Sequence, residues 1–345
     1  MKTQKISAHP KVISLFSGAG GMDLGFIKAG FEVVWANDND ADSVETYRKN
    51  IGDHIVLGNL ENIPSSEIPD ADVVIGGFPC QGFSVANTKR HVGDNRNKLY
   101  LEMKRVIRDK KPKVFLAENV KGILSLNKGE VFKMILKEFS DEGYNCKYTL
   151  VNTANYGVPQ TRQRVLIFGI RKDLDPNVSF PPAPTHNKVP FGNIDKWISI
   201  GEALAHIPET DTNHKLKNHE YSKFKLKFNG YISNRRVDSD KPSPTITARG
   251  DNKGGAMIIH HPKNHRRLSC REAATIQCFP LDFEFHGAMT SVYKQIGNAV
   301  PVRLGEVMGD FVFDYLQSQK VESLVPYCKY QISFERRDSQ LGFSF

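Results

Sequence analysis

Short apolar runs alternate with amphipathic stretches through the first half of the chain. The apolar runs that have the length and side-chain types of buried strands are residues 11–16, 32–36, 54–57, 73–75 and 114–117. Helical spacing of apolar residues occurs at 22–29, 41–49, 99–109 and 130–142. This alternation predicts an α/β fold with a doubly wound, mainly parallel sheet and helices on both of its faces.

Two further strand patterns, 144–151 and 165–170, follow one another with no helical stretch between them. Because a parallel connection needs a crossover, we expect one of the two to run antiparallel at the edge of the sheet. The proline-rich stretch 180–186 then marks a boundary. Residues 187–262 are polar, basic and loop-like, which predicts a smaller, irregular domain.

Helical spacing returns beyond this region, at 268–277 and 304–317, whereas 321–345 carries no clear pattern. A chain of 345 residues is long enough for one large domain and a smaller one. We therefore expect the late elements to return to the first domain, which is discontinuous in sequence.

Charge and cysteine content indicate the kind of partner and the cellular compartment to expect. The net charge of +9 and the pI of about 9.1 favour a polyanionic partner, with nucleic acid as the first candidate, although many basic proteins bind none. The five cysteines contain no Cys-x-x-Cys pair and are typical of reduced thiols in a cytoplasmic protein, not of a disulfide framework or a zinc site. No apolar stretch is long enough to span a bilayer, and the start of the chain lacks a signal core.

Reactive or polar residues follow four of the predicted parallel strands. They are the glycine loop 16–21, Asp38, Cys80 in a Gly/Pro-rich turn, and Glu118. The carboxyl ends of parallel strands share one edge of a sheet, where open α/β proteins bind ligands, so the four features should converge on a single crevice. A thiol on a tight turn at that edge is a candidate nucleophile.

Each feature also has an ordinary structural explanation. The glycine loop lacks the full Gly-x-Gly-x-x-Gly fingerprint and could be a simple tight turn. Asp38 could cap the following helix instead of accepting ribose hydroxyls. Cys80 could be an inert, half-buried thiol, and Glu118 could cap the turn that follows it.

Several sequence blocks, taken in order, resemble the motifs of the DNA (cytosine-5) methyltransferases. They are Phe16-Ser17-Gly18-Ala19-Gly20-Gly21, Gly77-Phe78-Pro79-Cys80-Gln81-Gly82-Phe83-Ser84, Glu118-Asn119-Val120, Gln160-Thr161-Arg162-Gln163-Arg164, Arg267-Leu268-Ser269-Cys270-Arg271-Glu272-Ala273-Ala274, Gln277-Cys278-Phe279-Pro280 and Gln295-Ile296-Gly297-Asn298-Ala299-Val300-Pro301. The resemblance spans about residues 12–301, and the ordered set is far more specific than any one block. It implies the S-adenosyl-methionine-dependent methyltransferase fold, S-adenosyl-methionine as methyl donor and cytosine in DNA as acceptor.

The resemblance implies catalytic roles for Cys80, Glu118, Arg162 and Arg164. Carbon 5 of cytosine is too electron-poor to attack a methyl group, and addition of the Cys80 thiolate to carbon 6 makes it enamine-like. Glu118 would contact ring nitrogen 3 and the exocyclic amine, and as a proton donor it would have to be partly protonated, which burial favours. One arginine, assigned as Arg164, would hold the base and the other would brace the nucleophile's loop; both could instead be surface charges on a hairpin.

For the cofactor, the resemblance assigns Phe16, Gly18, Gly20, Asp38, Asn59, Leu99 and Asn298. Phe16 would pack on the adenine, and the glycine loop would face the methionine moiety. The chain departs from the family pattern at Asn59, where an acid normally accepts the adenine amino group, and at Asn39, where an apolar or aromatic residue often packs on adenine. An amide oxygen can still accept that hydrogen bond, so the departures bear on affinity and not on the identity of the cofactor.

The resemblance also names the domains. Residues 1–185 and 267–320 correspond to the catalytic and cofactor-binding domain, 186–266 to the target-recognition domain, and 321–345 stay unassigned. An enzyme that modifies a base must extrude it from the stack, which explains a second domain facing the crevice. DNA contacts are assigned to Gln81, Ser84, Thr245 and Arg249.

Basic side chains of the recognition region could contact phosphates, or they could form a solvated lysine-rich surface. They are Lys215, Lys217, Lys223, Lys225, Lys227, Arg235 and Arg236. The histidines His260, His261 and His265 lack metal-ligand spacing, so no metal is expected, and we interpret them as structural or phosphate-contacting.

The favoured function is a monomeric, bacterial-type methyltransferase that modifies duplex DNA at a specific short site and protects it from a separate restriction endonuclease. One alternative is a relative that acts on transfer RNA, against which the form Cys80-Gln81-Gly82-Phe83-Ser84 argues. Another is a DNA-binding relative with weak catalysis, against which the intact Cys80, Glu118 and two arginines argue.

Overall fold

A seven-stranded sheet forms the centre of the protein in the computed structural model, which describes residues 9–78, 99–223, 237–248 and 259–322. Its strands are β1 (Lys11–Leu15), β2 (Glu32–Asp38), β3 (Ile55–Leu57), β4 (Val73–Gly76), β5 (Val114–Val120), β6 (Tyr144–Asn152) and β7 (Gln163–Arg171). The strand order β3-β2-β1-β4-β5-β7-β6 winds outward from β1 in both directions. This confirms the doubly wound α/β prediction.

Helices flank the sheet and build the second part of the molecule. Within the described ranges they are α1 (Gly21–Lys28), α2 (Ala41–Asn50), α3 (Leu99–Lys110), α4 (Glu130–Asp141), α5 (Ile200–Leu204), α6 (Cys270–Ile276), α7 (Met289–Asn298) and α8 (Val302–Glu322). Shorter 3₁₀ segments lie at 60–62, 65–67, 121–129 and 153–156, and two-residue strands pair 160–161 with 243–244 and 186–187 with 195–196.

The central strands are buried on both faces because their side chains alternate between two apolar clusters. On β1, Val12 packs in the cluster that contains α1 and α8, whereas Ile13 packs in the cluster that contains α3 and α4. On β4, Val73 and Val74 divide in the same way. Successive strand residues point to opposite faces, so a sheet covered on both sides requires continuous apolar runs, as the sequence has.

The prediction for the last two strands was partly wrong. One strand is reversed, as expected, but it is β7, which pairs antiparallel with both β5 and β6 and lies between them. The edge strand β6 therefore runs parallel to the rest. Burial explains the order: residues 165–170 of β7 are all buried, whereas Tyr148 and Leu150 of β6 are exposed and suit an edge.

A third apolar cluster lies outside the sheet. It joins α5, α6 and α7 with Val237, Ile246 and Ile259, so the irregular region and the segment after it share one core. The sequence did not predict α7, whose Thr, Ser, Val, Tyr and Gly residues have weak helix propensity. The last helix, α8, packs along α1 and continues to Glu322, beyond the predicted end at 317.

None of the helices in the described ranges is long and apolar enough to cross a membrane. Over those same ranges, no group of three or more His, Cys, Asp or Glu side chains is placed to hold a metal ion. His261 is structural: its Nδ1 accepts the backbone N–H groups of Lys263 and Asn264, and its Nε2 lies 3.6 Å from the carboxylate of Glu272.

A carboxyl group is buried beneath the glycine loop. Asp23, in the first turn of α1, is fully buried and accepts hydrogen bonds of 2.9 Å from the hydroxyls of Ser14 and Tyr47. Burial raises its pKa to about 6 in spite of these hydrogen bonds. The charged form therefore costs folding free energy at neutral pH.

Asp23→Asn is expected to flatten the pH dependence of stability. A carboxyl whose folded pKa lies above its unfolded value of 3.8 stabilises the fold fully below that value and loses this contribution as the pH rises through about 6. A folded pKa roughly 2 above the unfolded pKa corresponds to about 3 kcal/mol of unfolding free energy. Between about pH 4 and pH 7 the wild type should therefore lose about 3 kcal/mol of stability relative to the variant. Urea unfolding of both proteins at pH 4 and pH 7 measures this difference. An equal change in unfolding free energy for the wild type and Asp23→Asn between the two pH values would contradict the prediction.

Candidate active site

The glycine loop between β1 and α1 turns through backbone conformations with positive φ. The angle is +55° at Phe16 and Gly18 and +84° at Gly20, a region where glycine is favoured. A Cβ at Gly20 would also overlap the side chain of Ile51. At Gly18 a Cβ would meet no described atom within 4 Å, so the described residues leave room for a ligand beside this part of the loop.

Asp38, the last residue of β2, holds the glycine loop. Its Oδ2 accepts the backbone N–H of Gly18 at 2.8 Å, and its Oδ1 accepts that of Asp40 at 2.9 Å. Burial raises the pKa of Asp38 above the usual range. The helix-capping alternative is wrong, because Asp40 caps α2 through the N–H of Ser43 at 3.0 Å. A carboxylate has about four acceptor sites, so Asp38 keeps capacity for a ligand hydroxyl.

The two residues that depart from the family pattern contact each other. Asn39 donates from Nδ2 to Oδ1 of Asn59 at 2.8 Å, and both side chains are exposed. The amide oxygen expected to accept the adenine amine therefore already has one donor. Its second lone pair is still available.

The remaining cofactor candidates lie at the ends of helices. Asn298 is the exposed last residue of α7, whose following residues touch the glycine loop: a Cβ at Gly21 would overlap the carbonyl oxygen of Val300. Leu99 is the first residue of α3, which is tied to the turn after Asn59 by a hydrogen bond from Arg105 to the Leu60 carbonyl at 2.9 Å. Separate parts of the sequence thus meet around the loop.

An acid and a guanidinium meet at the carboxyl end of β5. Oε1 of Glu118 lies 2.6 Å from Nε of Arg164, and Glu118 is only 9% exposed. Their strands are antiparallel neighbours in which Arg164 lies opposite Val120, so the two side chains are diagonal partners on one face. Oε2 of Glu118 is 3.2 Å from where a Cβ on Gly77 would be, so the carboxyl group lies beside the segment that leads to Cys80.

Asn119 is a site residue that was not assigned a role from the sequence. Its Nδ2 donates to the carbonyl of Phe78 at 2.9 Å, and its Oδ1 accepts the N–H of Val120 at 2.8 Å. Asn119 thereby anchors the chain two residues before Cys80 to the end of β5. The sequence signal that could have identified Asn119 as a site residue was its position between Glu118 and Val120 in the motif.

The two arginines of the motif have different environments. Arg164 faces Glu118, whereas Arg162 is almost completely buried at 1% exposed. The Arg162 guanidinium donates to the carbonyls of Ile246, Gly297 and Ala299 at 2.6, 2.9 and 3.1 Å. Arg162 therefore links segments that are remote in sequence.

A cavity of about 480 Å³ opens beside Arg164. It is lined by Val120, Lys121, Gly122, Asn152, Thr161, Gln163, Arg164 and Thr245. Thr245 is fixed there by a hydrogen bond from its hydroxyl to the carbonyl of Thr161 at 2.9 Å. The structure thus brings one predicted DNA contact, Thr245, to the same cavity as Arg164, the partner of Glu118.

Several predicted residues lie outside the described residues. They are Cys80, Gln81, Ser84 and Arg249, together with Lys225, Lys227, Arg235 and Arg236. The cysteines in the described ranges are Cys146, Cys270 and Cys278. Burial raises the pKa of Cys146 and Cys278 to about 12 and raises that of Cys270 as well. These three are protonated at neutral pH and are poor nucleophiles.

Solved structures share this architecture. A DNA modification methyltransferase encoded within a prophage (E. coli) aligns with a TM-score of 0.71 and 25% identity, covering 89% of this chain and 99% of that one. The S. pombe Dnmt2 methyltransferase aligns with a TM-score of 0.63 at 18% identity over 90% of this chain and 99% of its own, a likeness of fold alone. The sheet and the site at its carboxyl edge define the S-adenosyl-methionine-dependent methyltransferase fold.

Sequence relatives identify the family within this class of methyltransferases. The family model for C-5 cytosine-specific DNA methylases matches residues 10–313. The Type II methyltransferase M.NgoFVII of Neisseria gonorrhoeae is 42% identical over 86% of this chain and 84% of its own length. The Type II methyltransferase M.FnuDI of Fusobacterium nucleatum is 38% identical over 90% of this chain and 96% of its own length. The chain belongs to the C-5 cytosine-specific DNA methylase family, whose members are in general S-adenosyl-methionine-dependent and act on DNA.

Proposed function

We propose that this protein methylates carbon 5 of a cytosine at a specific short site in duplex DNA, as the modification enzyme of a restriction-modification system. The observation that carries the proposal is the Glu118–Arg164 pair, 2.6 Å apart beside Gly77 and the start of the Cys80 turn. An acid and a guanidinium held together at the end of a buried strand are suited to bind the hydrogen-bonding edge of a base.

In this proposal Cys80 adds to carbon 6 of a cytosine extruded from the duplex. Carbon 5 would then take the methyl group as its bond to the sulfonium of the donor breaks. Loss of the carbon 5 proton to water and expulsion of the Cys80 thiolate from carbon 6 would release the methylated base. Glu118 holds nitrogen 3 and the exocyclic amine and supplies the proton that addition places on nitrogen 3. Arg164 orients Glu118 and contacts the carbonyl oxygen of the base. Asn119 holds the carbonyl of Phe78 and so keeps the nucleophile's turn next to Glu118.

The residues around the glycine loop fit S-adenosyl-methionine. The open space at Gly18 and the spare acceptor sites of Asp38 suit a nucleoside whose ribose hydroxyls reach the end of β2. Phe16 would pack on the adenine, Asn59 would accept its amino group, and Gly20, Leu99 and Asn298 would line the rest. The bound group supplies an electrophilic methyl at the crevice.

DNA would bind across the opening between the sheet and the recognition region. We assign residues 186–266 to a target-recognition domain and 1–185 with 267–320 to the catalytic domain. Thr245 and Arg249 would contact the backbone around the extruded nucleotide, and Gln81 and Ser84 would approach it from the nucleophile's turn. We further propose that the enzyme acts as a monomer in the cytoplasm, with its cognate endonuclease as a separate protein.

Transfer RNA is the competing substrate. The relatives M.NgoFVII and M.FnuDI, which align over most of the chain, are named Type II methyltransferases, which supports the DNA assignment. A non-catalytic DNA-binding role is disfavoured by the geometry of Glu118 and Arg164.

The proposal is tested by incubating the protein with methyl-labelled S-adenosyl-methionine and either duplex bacterial DNA or transfer RNA. We expect label on DNA at one sequence context, with the methyl on carbon 5 of cytosine, and none on transfer RNA. Label on transfer RNA alone would overturn the proposal, and a shift in DNA mobility without label would support a binding protein instead. Sequencing the methylated DNA then supplies the target site.

A further inference from the structure

Arg162 is a buried cation that, among the described residues, donates its hydrogen bonds to carbonyl oxygens and to no carboxylate. Its donors meet three backbone carbonyls, and its Nε has no hydrogen-bond partner among the described residues. Burial, with a contribution from the nearby Arg164, lowers its pKa to about 9, although the Glu118 carboxylate partly opposes this change. Removing such a charge from water is costly, and a well-packed apolar residue can serve stability as well or better. Stability alone is therefore a weak reason for an arginine here.

The carbonyls that Arg162 binds belong to two different parts of the molecule. Gly297 and Ala299 are at the C-terminal end of α7, where carbonyl groups lack helical partners and attract a cation. Ile246 belongs to the recognition region, immediately after Thr245. One guanidinium thus joins the end of α7 to the segment that carries the predicted DNA contacts.

A second set of hydrogen bonds makes the same connection. The N–H of Ile246 donates to Oε1 of Gln160 at 2.8 Å, and Nε2 of Gln160 donates to Oε1 of Gln277 at 2.8 Å. Gln277 in turn donates to the carbonyl of Ile296 at 2.6 Å, in the last turn of α7. Both backbone polar groups of Ile246 are therefore tied to the end of α7.

The packing at this junction leaves little freedom. A Cβ on Gly297 would overlap the Thr247–Ala248 peptide, so the recognition segment runs directly against the helix end. Asn298 is the last residue of α7, and Val300, two residues further on, touches the glycine loop at Gly21. The recognition segment and the cofactor loop are thus attached to the same helix end.

We propose that Arg162 and Gln160 are positioning residues that couple DNA binding at the recognition segment to cofactor binding at the glycine loop. The inference rests on the proposed function. A ligand that fixes either segment also fixes the end of α7, so the second ligand binds a site that is already ordered. Coupling of this kind is reciprocal: each ligand raises the affinity for the other by the same factor.

The test measures the affinity for S-adenosyl-homocysteine by calorimetry, with and without a duplex that carries the methylated site found by sequencing. For the wild type we expect duplex to tighten binding by at least about fivefold. In Arg162→Lys, a single ammonium cannot reach three carbonyls, so the factor should fall below about twofold. Gln160→Met removes the second connection without changing charge and should lower the same factor, which keeps the test valid if Arg162→Lys does not fold.

Arg271→Lys is the matched control. Arg271 is likewise buried and donates to three carbonyls, those of Lys217, Pro280 and Phe283, but it binds neither Ile246 nor the end of α7. Its substitution should lower the melting temperature and leave the coupling factor at the wild-type value. A wild-type factor near one, an unchanged factor in both test variants, or an equal loss in Arg271→Lys would each overturn the inference. Absence of DNA methylation would instead contradict the proposed function, and the labelling experiment detects that first.

Discussion

Replacement of Cys80 by serine is expected to lower the rate of methyl transfer to DNA by about a thousandfold or more, because the covalent step loses its nucleophile. A thiol supplies some thiolate at neutral pH, whereas a serine hydroxyl stays protonated unless a general base removes its proton. Binding of DNA and cofactor does not need the thiolate and should persist. Single-turnover label transfer together with a gel-shift assay separates the two effects.

Cys146→Ser is the matched control. Cys146 is half-buried on β6, and burial raises its pKa to about 12, so its replacement should leave the rate unchanged. A duplex with 5-fluorocytosine at the target site gives an independent measurement, since the fluorine cannot leave as the proton does and the enzyme remains covalently attached. The adduct should form with the wild type and with Cys146→Ser. An adduct with Cys80→Ser would exclude Cys80 as the nucleophile.

Glu118→Gln is expected to reduce kcat by about 10²- to 10⁴-fold, the range typical of a lost general acid. The glutamine amide can donate a hydrogen bond to nitrogen 3 of the base, but it has no proton to transfer. In the proposed mechanism Glu118 contacts the reacting base and not the cofactor, so the KM for S-adenosyl-methionine should change little. Steady-state kinetics at saturating DNA measures both parameters.

The same substitution also leaves the largely buried Arg164 without its carboxylate, so stability must be measured alongside. Glu130→Gln is a suitable control, since Glu130 forms an exposed pair with Lys133 at the start of α4. It should behave as the wild type. If Glu118→Gln loses activity only in proportion to the unfolded fraction, the assignment of Glu118 as proton donor is wrong.

The positions of the buried strands along the chain could be predicted, because they depend on local side-chain chemistry. Residues 73–75 and 114–117 are continuous apolar runs, and a run of this kind is stable only inside a sheet covered on both faces, where they lie. The insertion of β7 between β5 and β6 could not be predicted, because strand order depends on which neighbour buries the more apolar strand. Helix α7 was missed because tertiary packing in the third cluster outweighs its weak propensity.

Some features of the candidate site could likewise be predicted from the sequence, and others could not. Motif spacing along the chain was enough to place Asp38 and Glu118 at the ends of parallel strands, since successive strands of such a sheet present their carboxyl ends at one edge. The hydrogen-bond partners of Arg162 could not be predicted from motif spacing. Its partners, Ile246 and the end of α7, are 84 and 135 or more positions away, and only folding brings their carbonyls within hydrogen-bond distance. Local sequence patterns nominate the candidate reactive residues, whereas long-range packing, which only the tertiary structure shows, determines which groups hold their neighbours in place.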